Sequence, residues 1–280
     1  MTIKDLLVHI DQTKASQVRL EAGLILAERF GAHLTALYLG AEPFVRSMAG
    51  YHLPADVVRE HLLHGEAEAQ PIFAAARQAA GQRGVELETR LETGSLDRLP
   101  AILARIARNA DLVVVGEPNP MESGADETAL VEAAFMDTGR PALVIPYIGA
   151  KALPPERVLV AWDGSREAAR AVHDALPLLR LAAEVVILIV DAAKLGPRFG
   201  PQPGAGILAH LGRHGVAARV KAVESGGAAI AGLILVQAGA EKADLLIMGG
   251  YGHSRLREMI LGGVTRHMLE RMSVPVLFAH

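Results

Sequence analysis

Short runs rich in Val, Leu and Ile alternate along the chain with longer segments whose apolar positions recur every three to four residues. That alternation is the pattern of parallel β-α-β units. In the first half, strands are predicted at 6–10, 34–39, 86–91, 112–115 and 142–146, and helices at 14–30, 55–82, 96–109 and 126–138. In the second half, strands are predicted at 158–162, 185–190, 217–223, 245–248 and 276–279, and helices at 166–181, 207–213, 228–242 and 264–271.

The two series are copies of one unit. Leu6-Leu7-Val8-His9-Ile10-Asp11 matches Val158-Leu159-Val160-Ala161-Trp162-Asp163 at an offset of 152. Gly84-Val85 matches Gly215-Val216 at 131, Asp111-Leu112-Val113 matches Asp244-Leu245-Leu246 at 133, and Pro141-Ala142 matches Pro275-Val276 at 134. Four matches in one order define an internal repeat, with a natural joint at 149–155 and domains at 1–150 and 151–280. Between the second and third strands the second copy is about 20 residues shorter. The first copy carries a long helical pattern there, whereas Gly196-Pro197 and Gly200-Pro201-Gln202-Pro203-Gly204 in the second forbid a long helix.

Composition sharpens this picture. Of 280 residues, 51% are hydrophobic but only 4% aromatic, so the cores are aliphatic, as suits parallel sheets covered on both faces. The net charge of −3 and the lack of a basic run leave no electrostatic footprint for nucleic acid. Cysteine is absent, which excludes disulfides and thiolate metal sites. Neither a signal peptide nor a membrane span is expected, since the longest weakly polar stretch, 226–236, is too short for one. The expectation is a cytoplasmic protein.

The chemistry concentrates after the fourth strand of the second copy. Gly249-Gly250-Tyr251-Gly252 is followed, nine residues after Gly252, by Gly262-Gly263-Val264-Thr265. Glycines behind a buried strand let backbone N–H groups approach an anion, and the helix opening at Val264 adds its first-turn amides and dipole. Asp163-Gly164-Ser165, ending the first strand of that copy, reaches the same edge of a parallel sheet, where ligands gather.

The spacing Gly249-x2-Gly252-x9-Gly262, with Ala161-Trp162-Asp163-Gly164-Ser165 and the closing Val274-Pro275-Val276-Leu277, resembles the universal stress protein family. The resemblance implies two tandem Rossmann-like domains of the adenine nucleotide alpha hydrolase-like kind, each a five-stranded parallel sheet flanked by helices. It implies ATP or another adenine nucleotide, with or without Mg²⁺, as the ligand of the second copy. The candidate nucleotide-binding residues are Asp163, Gly164, Ser165, Ile189, Val190, Gly249, Gly252, His253, Gly262, Gly263, Val264 and Thr265. Ile189 and Val190 would meet the adenine through backbone groups. The family pattern usually has Ser or Thr where this chain has Gly263, so a hydroxyl donor is missing, with Thr265, Ser254 or Arg255 as substitutes.

In the first copy the corresponding stretch runs Gly116-Glu117-Pro118-Asn119-Pro120-Met121-Glu122-Ser123-Gly124-Ala125-Asp126-Glu127. Two prolines remove donors and four acids repel phosphate, so no standard ATP site is expected there, and a second small ligand is left open. His52, His61 and His64, with Glu60 and Glu66, read as histidines of a solvated helix before they read as a metal site. Trp162 reads as core, and Ser165 as the N-cap of the helix from Arg166.

The function expected is a stress-response protein that binds nucleotide in its second half and acts through conformation or partners. No Gly-Lys-Ser/Thr loop or general base is evident. A slow ATPase or phosphotransferase working through Asp163, and a scaffold for a non-nucleotide ligand, are the alternatives. The family resemblance implies that the two copies pair along their fifth strands as a pseudo-dimer. A homodimer of the whole chain is left open.

Overall fold

The computed structural model describes residues 2–41, 55–118, 126–150, 152–196, 202–250 and 263–280, with the backbone alone for 55–64 and 126. The first half runs β1 (Asp5–Ile10), α1 (Lys14–Phe30), β2 (His33–Ala41), α2 (Ala55–Arg83), β3 (Leu87–Gly94), α3 (Leu99–Ala107), β4 (Leu112–Gly116), α4 (Asp126–Met136) and β5 (Ala142–Ile145). The second half runs β6 (Arg157–Ala161), α5 (Arg166–Leu179), β7 (Glu184–Val190), α6 (Ala205–Arg213), β8 (Ala218–Val223), α7 (Ile230–Ala240), β9 (Leu245–Gly249), α8 (Gly263–Arg271) and β10 (Val276–Ala279).

Within each half the strands are parallel, and the two sheets join into one of ten strands, ordered β3-β2-β1-β4-β5-β10-β9-β6-β7-β8. The repeat holds at the level of register. Leu6 lies opposite Leu34 and Leu112 in the first half, and Val158 lies opposite Val185 and Leu245 in the second. Each strand is displaced by the offset seen in the sequence. The first helix of each half also starts alike: Thr13 caps α1 by accepting from Ser16 N, and Ser165 caps α5 by accepting from Ala168 N at 3.1 Å. The halves diverge between their second and third strands, where the 29-residue α2 faces the 9-residue α6.

The join is the antiparallel pair β5–β10, with Val144 opposite Val276, Leu143 opposite Leu277 and Ala142 opposite Phe278. Leu143 and Leu277 are equivalent positions of the repeat, so the centre of the join pairs a residue with its own copy, as a two-fold axis requires. All eight residues of these two strands are buried. Two apolar layers run unbroken across the seam. One packs α1, α2, α5 and α6 on a face that includes Leu143 and Leu277. The other packs α3, α4, α7 and α8 on the face that includes Val144, Val276 and Phe278.

The outer strands are defended by charge. Glu92 on β3 binds Arg90 and Arg105, and Arg219 and Lys221 on β8 bind Glu241. Charged edges of this kind discourage further strand pairing, whereas the apolar fifth strands invite it.

The seam carries a direct prediction. Leu277 is 1% exposed, so Leu277→Ala should lower the unfolding free energy by about 2–5 kcal/mol in urea denaturation. A loss below about 0.5 kcal/mol, typical of surface sites, would show that the seam contributes little.

Candidate functional site

In the second half the sheet order reverses between β6 and β9, and ligands of open α/β sheets bind at such switch points, beyond the carboxyl ends of the strands. A cavity of about 520 Å³ lies there, bordered by Ala161 at the end of β6, Val190 at the end of β7 and Gly249 at the end of β9. One wall is an apolar slot that includes Leu188, Val190, Ile230, Ile234 and Met248. Another is the first turn of α8, Gly263-Val264-Thr265, whose leading amides have no helical partners of their own. Asp163 and Ser165 complete the polar side.

Local backbone chemistry builds each of these walls. Gly164 turns the chain at φ 70°, a left-handed conformation suited to glycine, and Asp163 Oδ1 accepts from Ser165 N at 2.9 Å. A Cβ at Gly249 would lie 2.6 Å from the carbonyl carbon of Glu167 and 2.7 Å from Ala168 N. Only glycine lets the first turn of α5 sit directly on the last residue of β9. Asp191, buried at the end of β7, accepts from Ser225 N and Ser225 Oγ, each at 2.7 Å, and from Lys194 Nζ at 2.6 Å. The Lys194 ammonium and the Ser225 donors hold its carboxyl well below the usual carboxylate range. This ties the loop after β8 and the turn carrying Lys194 to the cavity rim.

Of the residues expected from sequence, Asp163, Ser165, Val190, Gly249, Gly263, Val264 and Thr265 line the cavity together. Gly164 shapes the turn beneath it, and the Ile189 side chain is fully buried in the layer on the other face of the sheet. Gly252, His253 and Gly262, like Ser254 and Arg255, lie outside the described residues, as do His52 and the side chains of Glu60, His61 and His64. Among the described residues no group of three His, Cys, Asp or Glu is placed to hold a metal ion. Sequence reasoning missed Trp162, Glu167 and Lys194, all of which line the cavity. Trp162, read as core, packs against the layer that holds α1 and α5 and, just beyond the end of β6 at Ala161, lines the cavity as well. The spacing of three between Asp191 and Lys194 permits their ion pair but does not bring it to the rim, which depends on the left-handed turn at Asp191.

At the equivalent corner of the first half the side chains pair with one another. Asp11, the counterpart of Asp163, accepts from Thr13 N at 2.7 Å and forms an ion pair with Arg19. Arg19 is 5% exposed and donates from Nε to His9 O at 3.1 Å. A Cβ at Gly116 would lie 3.0 Å from Arg19 Cδ and 3.2 Å from Cζ, so that glycine makes room for a guanidinium instead of a helix backbone. In the second half the position equivalent to Arg19 is Ala171. Burial, then the Arg19 charge, lowers the His9 pKa to about 4 against the pull of Asp11. Glu117, at the position of Gly250, is 5% exposed and accepts from Tyr147 N at 3.2 Å. Burial raises its pKa to about 7.

Two Rossmann-like halves, fused through their fifth strands, with a cavity at the switch point of the second, define a tandem α/β protein. The universal stress protein family model matches residues 2–127 and 155–280, and the chain belongs to that family. A universal stress protein of Synechocystis sp. is 25% identical to this chain, with 98% of this chain and 99% of the relative covered. Among solved structures, a universal stress protein from Archaeoglobus fulgidus shares the fold with a TM-score of 0.73 at 18% identity, covering 99% of this chain and 96% of that one. A functionally unknown protein from Pseudomonas aeruginosa does so with a TM-score of 0.64 at 15% identity, covering 99% and 92%.

Two of the shifted groups of the first half, Glu117 and His9, act in opposite directions with pH. Glu117 has a folded pKa raised from 4.5 to about 7, so its stabilising contribution is full below pH 4.5 and is lost as pH rises to about 7. His9, lowered from 6.5 to about 4, contributes above pH 6.5 and loses that contribution as pH falls toward 4. The stability gained by Glu117→Gln over wild type should therefore grow from pH 5 to pH 7 and level off above it. Thermal unfolding of both proteins across this range checks it, and a pH-independent difference would show that burial does not raise the Glu117 pKa.

Proposed function

We propose that the C-terminal half binds ATP or a related adenine nucleotide in the cavity beyond β6, β7 and β9, and that the protein acts in stress response through conformation or partners. The observation that carries this reading is the pairing of an apolar slot with a helix N-terminus across one cavity at the switch point. A base fits the slot formed by Leu188, Val190, Ile230 and Ile234. Phosphate fits the amides of Gly263, Val264 and Thr265, and Asp163, in the same lining, suits a ribose hydroxyl or a phosphate-bound cation. Gly252, His253 and Gly262 are assigned to the same phosphate loop from their spacing.

The described lining carries Asp163, Glu167 and Asp191 against Lys194. A nucleotide that arrives with Mg²⁺ suits this excess of carboxylate better than a bare polyphosphate, because the ion offsets the like charges.

Position 263 offers a gain-of-function test. Gly263 begins α8 outside the left-handed region, and a Cβ there meets nothing within 4 Å among the described residues. Gly263→Ser restores a hydroxyl donor, and a hydrogen bond to a charged partner contributes roughly 1.5–3 kcal/mol. By calorimetry with Mg-ATP, Gly263→Ser should bind at least about tenfold tighter than wild type. Asp163→Ala should bind at least about tenfold weaker. The absence of any heat from ATP, AMP and cyclic AMP with wild type, and of any released nucleotide by mass spectrometry, would remove the nucleotide reading. Sustained phosphate release that Asp163→Ala abolishes would move it to a slow ATPase.

A further inference from the structure

The junction between the first and second helices of each half occupies equivalent positions but has different chemistry. In the first half it is an ion-pair cluster. Arg83, at the end of α2, donates to Glu28 of α1 at 2.8 Å and also pairs with Glu21. The offsets of the repeat put His173, Arg180 and His214 where Glu21, Glu28 and Arg83 stand. One turn earlier in the second helix, Ala79 has His210 as its counterpart. The second half has thus lost both carboxylates of the cluster and gained three imidazoles.

Two of those imidazoles face each other. His210 and His214 are four residues apart, so they project from one side of the last turn of α6. Their ring centroids lie 4.6 Å apart, with planes tilted by 58°. Both residues are half-buried, and the backbone beneath them is fixed. His214 N donates to His210 O at 3.3 Å and to Leu211 O at 2.9 Å. Ile207 and Leu211 are buried and seat the helix on the sheet. From α5, Arg180 Nε donates to His214 O at 3.1 Å. At the other end of α6, a Cβ at Gly204 would lie 2.5 Å from Val220 Cγ2, so the helix starts directly on β8.

We propose that His210 and His214 form a binding site for a borderline divalent transition-metal ion, with Cu²⁺ held more tightly than Ni²⁺ or Zn²⁺. Imidazole suits these ions, whereas Mg²⁺ and Ca²⁺ take oxygen ligands. Metal–nitrogen bonds of about 2.0–2.1 Å put two ligating nitrogens about 3 Å apart, which small rotations of rings this close provide. Arg180 Nη2 lies 3.4 Å from His214 Nδ1, a contact long enough for an ion to displace.

No third His, Cys, Asp or Glu joins the pair among the described residues. The site is therefore an open one, with water at the remaining positions, and not the closed four-ligand shell of a structural zinc. An ion bound there bridges the last turn of α6, which the first half, with Ala79 and Arg83 at these positions, has no means to do. None of these residues borders the cavity at the switch point, so the inference is independent of what that cavity binds.

The test titrates the full-length protein with Cu²⁺, then Ni²⁺ and Zn²⁺, each as the free ion in a buffer that does not chelate it. Wild type should hold one Cu²⁺ whose paramagnetic resonance spectrum shows coupling to two imidazole nitrogens. His210→Gln and His214→Gln, which keep a polar side chain on the helix, should each weaken Cu²⁺ by about tenfold or more, because the second ligand acts intramolecularly. Each should also reduce the coupling to one nitrogen. Changing the other closely spaced pair of the sequence, His61→Gln with His64→Gln, should leave this site intact.

Hydrogen exchange reads the bridge itself. Zn²⁺ should slow exchange of the His214 amide about tenfold and leave that of Ile187, inside β7, unchanged. Absence of Cu²⁺ uptake by wild type would overturn the proposal. So would uptake and a spectrum unchanged in the double variant, the mark of an adventitious ion only, or equal slowing of the two amides by Zn²⁺.

Discussion

The antiparallel pairing of β5 with β10 is the contact on which the remaining architecture depends. Four-residue strands that are buried along their whole length are too apolar to stand as edges. Joining them removes both edges at once and makes two five-stranded sheets into one of ten. It also carries each of the two helical layers across the chain's midpoint, so neither half has a hydrophobic core that ends at its own boundary. The pairing of Leu143 with Leu277 places a local two-fold at the centre, and every contact across the seam is read against that symmetry.

Symmetry of the frame makes the asymmetry of the sites informative. Gly116 and Gly249 end equivalent strands, and both lie too close to a neighbour to carry a Cβ. In one half the neighbour is the Arg19 side chain, and in the other it is the backbone of α5. Similarly, Glu117 and Gly250 follow those strands and face the seam in different ways. One buries a carboxyl against the Tyr147 amide, and the other receives the Phe135 ring. The backbone scaffold is conserved between the halves while the side chains at its carboxyl edge have exchanged roles.

The strands were legible in the sequence because parallel buried strands need unbroken apolar runs, and the offsets between copies reappear as inter-strand register. The longer α2 and shorter α6 were legible for the same kind of reason, since Pro and Gly between 196 and 204 exclude a long helix. The polar cavity residues Asp163, Ser165 and Thr265 were legible from glycine spacing and cap chemistry. What was not legible depends on geometry that spacing does not encode. Lys194 reaches the rim because Asp191, in a left-handed conformation at φ 51°, holds it there. Glu167 lines the cavity because Gly249 lets α5 approach. Phe135 lies 115 residues before Gly250, and nothing local to either residue announces the contact.

The treatment of one carboxylate separates the halves most sharply. A carboxylate at the end of the first strand sits in a partly buried place, where desolvation disfavours its charge unless a cation or donors compensate. In the first half the fold supplies that compensation itself. Thr13 donates to Asp11, and Arg19 reaches across from α1, bringing a nearly buried guanidinium to the carboxylate and to the His9 carbonyl. Removing one partner of such a buried pair would leave an uncompensated charge, so the pair is locked in place. In the second half Ala171 stands at the position of Arg19. Beside the strand-end glycine, the place that the Arg19 side chain takes in one half is taken by the α5 backbone in the other. With glycine kept at both strand ends, the exchange of one long cationic side chain for alanine thus changes how the same corner of the fold is packed.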